Sequence, residues 1–363
     1  MNLLTAPSIT LPGTTHPWHL TGADEKSGVD GGDDRAFPLH TDAPTDVRSV
    51  LTRPTASPST ISRSIRIVRR PAEMFFADAA RTQGVLRYEV AGGPGRLAVL
   101  SHPAHIKALM TADQALAPSA TRMSPLAPIV GSQSVLTSVG ARHRRQRSML
   151  LPRFHGKAVA AYRAGIDTAT ARHIDAWPVG ELVPLAEIAQ QITLDVIMSA
   201  VFGLPDGIPV TDAERALRDS TLRMLRWSAT PLATVAQLLN SRSSSPVGLT
   251  KAVLRPVDRA LYQVLAERRA ARGEDRTDIT QLLLDTRTED GEPLPDNEIR
   301  DELITLLLAG HETTTNSVAW TFERLTRHPD VYADAREAVR TGNDNYIDAL
   351  LNESVRSRPV VPV

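Results

Sequence analysis

"LLLAGHETTT", Leu306 to Thr315, decides how the chain is read: leucines give way to a glycine, an acid and three threonines with no break in helical spacing. Extended both ways, "DNEIRDELITLLLAGHETTTNSVAWTFERLTRHPD" predicts one helix from Asp296, as its N-cap, to a stop at His328 and Pro329. That is about 30 residues, or roughly 45 Å at 1.5 Å per residue. Leu303 to Gly310 is apolar on every side, which predicts a helix buried in a large protein. Glu312 then falls in core, where a carboxylate without partners costs several kcal/mol or takes up a proton. Gly310 weakens a helix by about 1 kcal/mol relative to Ala, yet lets a flat ligand approach the backbone. The hydroxyls of Thr313, Thr314 and Thr315 can bond carbonyls a turn earlier and open the helix ladder. Acid, hydroxyl and notch together suit proton delivery to a bound ligand. The plainer alternative is that the threonines only back-bond and Glu312 points to water. A zinc site fails at one position: His311 and Glu312 begin an H-E-x-x-H pattern, but Thr315 stands where the second histidine belongs.

Two further constellations bear on the choice. "GARHRRQRSMLLPRF" sets His143 and Arg147 four apart on one helix face, where two donors can hold a pair of carboxylates; alternatively the face is solvated. "LLNESVRSRP" sets Glu353 and Arg356 three apart, able to pair, with Pro359 ending the helix. Its apolar flanks predict a buried pair, for which loss of one partner is far more damaging than at a surface.

Composition narrows the field. Lys plus Arg and Asp plus Glu balance at 41 each, which gives no global field for nucleic acid or an anionic membrane. The longest apolar runs fall short of the roughly 18 residues that cross a bilayer, and the N-terminus lacks an export signal, so a cytoplasmic protein without a transmembrane segment is expected. There is no cysteine in 363 residues, so no disulfide, zinc-thiolate, iron–sulfur or haem-thiolate bond can come from them.

Residues 1–60 are rich in Thr, Ser, Pro, Gly and Asp without periodicity and are expected to be disordered; an ordered domain is expected over 61–363. A helix is expected in "RRPAEMFFADAARTQG", then a hairpin of "VLRYEV" and "RLAVL" about "AGGPG", then a helix capped by Ser101. Nearly everything later reads helical, including "IAQQITLDVIMSAVFG", "ERALRDSTLRMLRWSATPLATVAQLLN" and "KAVLRPVDRALYQVLAERRAARG". The expected class is mainly α with a small β-sheet.

In this order the three constellations resemble the cytochrome P450 family of haem-thiolate monooxygenases. "AGHETT" is similar to the family's A/G-G-x-D/E-T-T/S motif, "ESVR" to its E-x-x-R motif, and "HRRQR" with "PRF" to its propionate-binding helix. The resemblance spans about residues 61–363 and implies the P450 fold and haem b. It places Ala309 and Gly310 against the oxygen-binding side of the haem, with Glu312 and Thr313 delivering protons there. It gives the propionates to His143 and Arg147, and a structural ion pair to Glu353 and Arg356. It implies a lipophilic small-molecule substrate, contacted around Ala117–Val130. Electrons would come from NAD(P)H through a ferredoxin or flavin reductase, since no G-x-G-x-x-G fingerprint is present.

One departure stands out. The family's axial ligand is a cysteine after the E-x-x-R helix, and this sequence has none, so a chain truncated before the ligand loop is expected. The expectation follows that the 363 residues are inactive alone, with Leu303 to Leu308 exposed and prone to aggregate. The alternative is a non-catalytic remnant or helical binding module on the same scaffold.

Overall fold

The computed structural model describes residues 85–89, 96–100, 102–112 and 126–361, apart from 205–206, 229, 241–242, 244, 272–275, 277 and 289. The N-terminal 60 residues, the helix expected at "RRPAEMFFADAARTQG" and the "AGGPG" turn lie outside them. By contacts the chain divides in two, the described residues from 126 onward forming one unit and the earlier ones belonging to another.

In the earlier unit, β1 (Val85–Glu89) and β2 (Arg96–Leu100) pair antiparallel, with Val85 opposite Leu100 and Glu89 opposite Arg96. Helix α1 (Pro103–Thr111) is capped by His102, whose ring nitrogen accepts from the amide of Ala104, so the cap is not Ser101. Pro103 lacks an N–H and fits the first helical position, which moves the cap one residue on.

The larger unit is helical. After a short helix α2 (Ala127–Val130) come α3 (Gly140–Leu150), a 3-10 turn over Leu151–Phe154, α4 (Lys157–Asp175) and α5 (Leu185–Phe202). Helices α6 (Asp212–Ser228) and α7 (Pro231–Asn240) replace the single helix expected there. Pro231 has no N–H to continue a ladder and disfavours a helical residue before it, so the chain breaks and restarts. Then follow α8 (Gly248–Ala270), α9 (Ile279–Asp285), α10 (Asp296–Arg327), α11 (Pro329–Thr341) and α12 (Asp344–Ser357).

The core forms where α10 packs on α5 and α6 on α8. Leu194, Met198, Val201 and Phe202 of α5 and Leu303, Ile304 and Leu307 of α10 are fully buried. The expected exposure of Leu303 to Leu308 is therefore corrected: α5 covers this stretch, and within it only Leu306 and Leu308 are half-exposed. Helix α5 is itself long and apolar enough by length and composition to span a membrane, a candidate the sequence reading missed. Its polar Thr193 and Asp195 are buried in bonds to other helices, and Asp195 takes Arg172 at 2.7 Å, His173 at 2.8 Å and Arg218 at 2.7 Å. These partners make it a core helix of this unit.

Helix α10 has 32 residues, and Pro295, not Asp296, stands at its N-cap with no side-chain bond. Asp296 occupies the first turn, where negative charge suits the helix dipole, and pairs with Arg269.

Candidate active site on the central helix

Helical spacing puts Glu298, Glu302, Thr305, Ala309 and Thr313 of α10 on one stripe, four, seven, eleven and fifteen residues along from the first. The N-terminal part of this stripe is covered. The amide of Gln133 donates to Asp301 at 2.9 Å, the amide of Val135 to Glu302 at 3.2 Å, and Ser134 Oγ lies 2.6 Å from Thr305 Oγ1. Residues 131–138 thus form a strap across α10. Helix α3 docks beside it: Arg145 pairs with Glu298 at 2.8 Å, and buried Gln146 donates to Glu298 at 3.1 Å and to the Gln133 carbonyl at 2.5 Å.

Past Thr305 the cover ends. Ala309 is exposed and Thr313 half-buried, in the middle of a helix whose opposite side is packed on α5. Glu312, beside them, is also exposed, which corrects the expectation of a buried acid at that position. The buried carboxylates sit a few turns earlier, at Glu298, Asp301 and Glu302. Burial pushes the Glu302 carboxyl up to about 7; the Val135 N–H and Arg142 oppose this, while Glu298 and Asp301 add to it. Asp301 is also raised, chiefly by burial, against the Gln133 N–H and Arg300.

Thr313 donates to the Ala309 carbonyl at 2.6 Å and Thr314 to that of Gly310 at 2.8 Å, as back-bonding threonines do. The helix nevertheless runs unbroken, so the expected opening of its ladder is absent. Gly310 has a use of its own. A β-carbon there would stand 2.6 Å from Cδ1 of Ile197, so the missing side chain lets α5 approach. Gly310 thus has a packing role on the α5 side of the helix.

His143 is half-buried and Arg147 exposed, about one turn apart on α3. Among the described residues neither side chain makes a hydrogen bond or ion pair, while Arg145 and Gln146 between them are turned to α10. Helix α3 therefore carries two side chains, His143 and Arg147, that are not among those it turns to α10.

Glu353 and Arg356 meet in a two-pronged bond of 2.5 and 2.6 Å, which holds Glu353 below the usual carboxylate range. Their expected burial is corrected: the Arg356 side chain is 72% exposed. Leu350 and Ser354 face the packed side of α12, Ser354 bonding Thr321 of α10, and the pair lies off that side.

Sequence reasoning missed a polar knot on the other face of α10. His311 Nδ1 lies 3.0 Å from Thr193 Oγ1 and 3.2 Å from Thr315 Oγ1, and the two hydroxyls are 2.6 Å apart. Its Nε2 is buried with no partner, and burial pulls the imidazole down to about 4. The position that ruled out zinc, Thr315, is thus a hydrogen-bond partner of the histidine four residues earlier.

Known proteins bear on what this arrangement is. The sequence profile of the cytochrome P450 family matches residues 70–363. Cytochrome P450 135B1 of Mycobacterium tuberculosis is 34% identical over 306 residues, covering 82% of this chain and 64% of its own length. Cytochrome P450 138 of the same organism is 33% identical, over 82% of this chain and 63% of that protein. The chain thus spans less than two thirds of the curated relatives it matches. A retinoic-acid-bound cyanobacterial structure, CYP120A1, superposes with a TM-score of 0.61 at 18% identity, over 81% of this chain and 66% of that one. A second structure, CYP102L1, gives 0.62 at 19% identity, over 80% and 67%. At such identities these two speak for the fold alone. With the profile matching most of the chain, the chain belongs to the cytochrome P450 family.

Proposed function

We propose that these residues form the oxygen-side wall and the propionate contacts of a haem b monooxygenase acting on a lipophilic small molecule. One observation carries the reading: α10 is covered on its Glu298 to Thr305 stripe, exposed at Ala309 and half-exposed at Thr313, with two side chains on α3, His143 and Arg147, that bond no described residue. A flat group fits against Ala309, whose methyl is the smallest side chain on that stripe. The 363 residues contain no cysteine, so a thiolate for a bound haem would have to be supplied by other residues.

When bound, haem supplies the redox chemistry by which one atom of dioxygen enters substrate. The chain's own residues do simpler things. His143 and Arg147 hold carboxylates by charge-assisted bonds. Thr313 Oγ1, already donating to the Ala309 carbonyl, keeps its lone pairs free to accept a proton-bearing partner. Exposed Glu312 exchanges protons with water and hands them toward that hydroxyl. Gly310 and the His311 knot hold α10 on α5, and so fix which face is bare. Electrons from NAD(P)H would arrive through a ferredoxin or flavin reductase; a cytoplasmic setting, where those donors are made, fits that reading.

Haem content tests this in a chain joined to the cysteine-bearing C-terminal part of a mycobacterial relative. Ala309→Phe should abolish haem incorporation, while Ala333→Phe, at an exposed site on α11, should not. Full haem content in a folded Ala309→Phe protein would remove the reading.

A further inference from the structure

Three acids within five residues of α10 face the strap and α3, and they are not equally provided for. Glu298 has Arg145 at 2.8 Å and Gln146 at 3.1 Å. Asp301 has Arg300 at 2.9 Å and the Gln133 amide, and Arg300 is shared with Asp258 of α8 at 2.7 Å. Among the described residues Glu302, with no exposed surface, has only the Val135 amide, on Oε2, and its Oε1 is buried without a partner there. The cation facing it is Arg142 of α3, which makes no bond to it and has its own buried, unpartnered Nη2. The strap, "GSQSVLTS", contributes no charge.

We propose that Glu302 is a proton-dependent clasp: as a neutral acid it holds residues 131–138 on α10, and its ionisation releases them. The Val135 N–H would favour the carboxylate, but burial and the neighbouring Glu298 and Asp301 outweigh it, so the neutral carboxyl is the form that stays buried there. A carboxylate there is desolvated, faces two like charges and has no directly bonded cation, whereas lifting the strap gives it water. The direction follows by linkage. The clasped carboxyl titrates at about 7 and the released one near the ordinary 4.5, so release grows as pH rises between those values and levels off above the upper one. The strap covers the stripe that continues to Ala309, so release uncovers the helix toward that face. The clasp stands whether or not the chain works with haem.

Amide exchange at Val135, corrected for the intrinsic pH dependence of exchange and followed by mass spectrometry on the 363-residue chain, tests this. The opening equilibrium should rise at least about tenfold between pH 5.5 and 7 and be flat above pH 7.5. Glu302→Gln, which keeps an acceptor for Val135 but cannot ionise, should remove that rise. Arg142→Gln, which removes the facing cation, should move the levelling-off to higher pH, and it serves if the first variant does not fold. A wild-type opening that ignores pH overturns the clasp. So does a rise unchanged in Glu302→Gln, which would assign it to Asp301, or a levelling-off unmoved in Arg142→Gln.

Discussion

Cδ1 of Ile197 lies 2.6 Å from where a β-carbon on Gly310 would stand, so two helices of the core meet through a missing side chain. The glycine of the central motif has a packing role on the α5 side. Gly310→Ala adds roughly 1 kcal/mol of helix propensity but makes the free end of the Ile197 side chain turn aside, at about 0.5–1.5 kcal/mol. The net expectation is a change of under about 1 kcal/mol by urea denaturation. Adding Ile197→Val, which deletes that methyl, should make the double variant more stable than Gly310→Ala alone.

His311 and Glu302 predict opposite pH slopes. The histidine titrates near 4 when folded and at the ordinary 6.5 when unfolded, so its contribution is lost as pH falls through that window. The carboxyl of Glu302 titrates near 7 when folded and at 4.5 when unfolded, so its contribution is lost as pH rises through that window. Each slope is at most about 1.4 kcal/mol per pH unit, and the two oppose one another between pH 4.5 and 6.5. Against wild type, Glu302→Gln should therefore lose stability toward acid, and His311→Gln toward neutral pH. Denaturation at pH 5 and 6.5 measures both.

Arg356→Ala should cost under about 1 kcal/mol in thermal unfolding of the 363-residue chain, because the arginine is mostly exposed. A buried pair would have cost several times that.

His143→Ala and Arg147→Ala should each leave stability within about 0.5 kcal/mol of wild type, since neither side chain is bonded to a described residue. In a haem-loaded chain carrying the cysteine segment, the same substitutions should weaken haem retention, measured by transfer to an acceptor protein. Retention unchanged in both variants would take the propionates away from these residues.

The strongest sequence signals were long-range and periodic. An uninterrupted pattern from 296 to 327 gave α10 nearly to the residue, and the β1 and β2 segments pair antiparallel. Side-chain environment was harder to read. Glu298, Asp301, Glu302 and Thr305 recur at helical spacing, and such a polar stripe looks like a solvent face until something polar is laid on it. Here that is the uncharged strap, whose Gln133 and Val135 amides reach Asp301 and Glu302, bonds that no side-chain pattern announces. Apolar letters around Glu353 pointed to burial, but helical rotation carries the pair away from the packed side. Thr193 and His311 meet across 118 positions of sequence, and nothing local in either segment marks the other.

The absorption spectrum of reduced, CO-treated protein tests the central claim most directly. The 363 residues alone should give no thiolate-type Soret band, and the chain joined to a cysteine-bearing C-terminal segment should give one that Ala309→Phe removes. A thiolate-type band from the 363 residues alone, or none from a folded joined chain supplied with haem, would contradict the account.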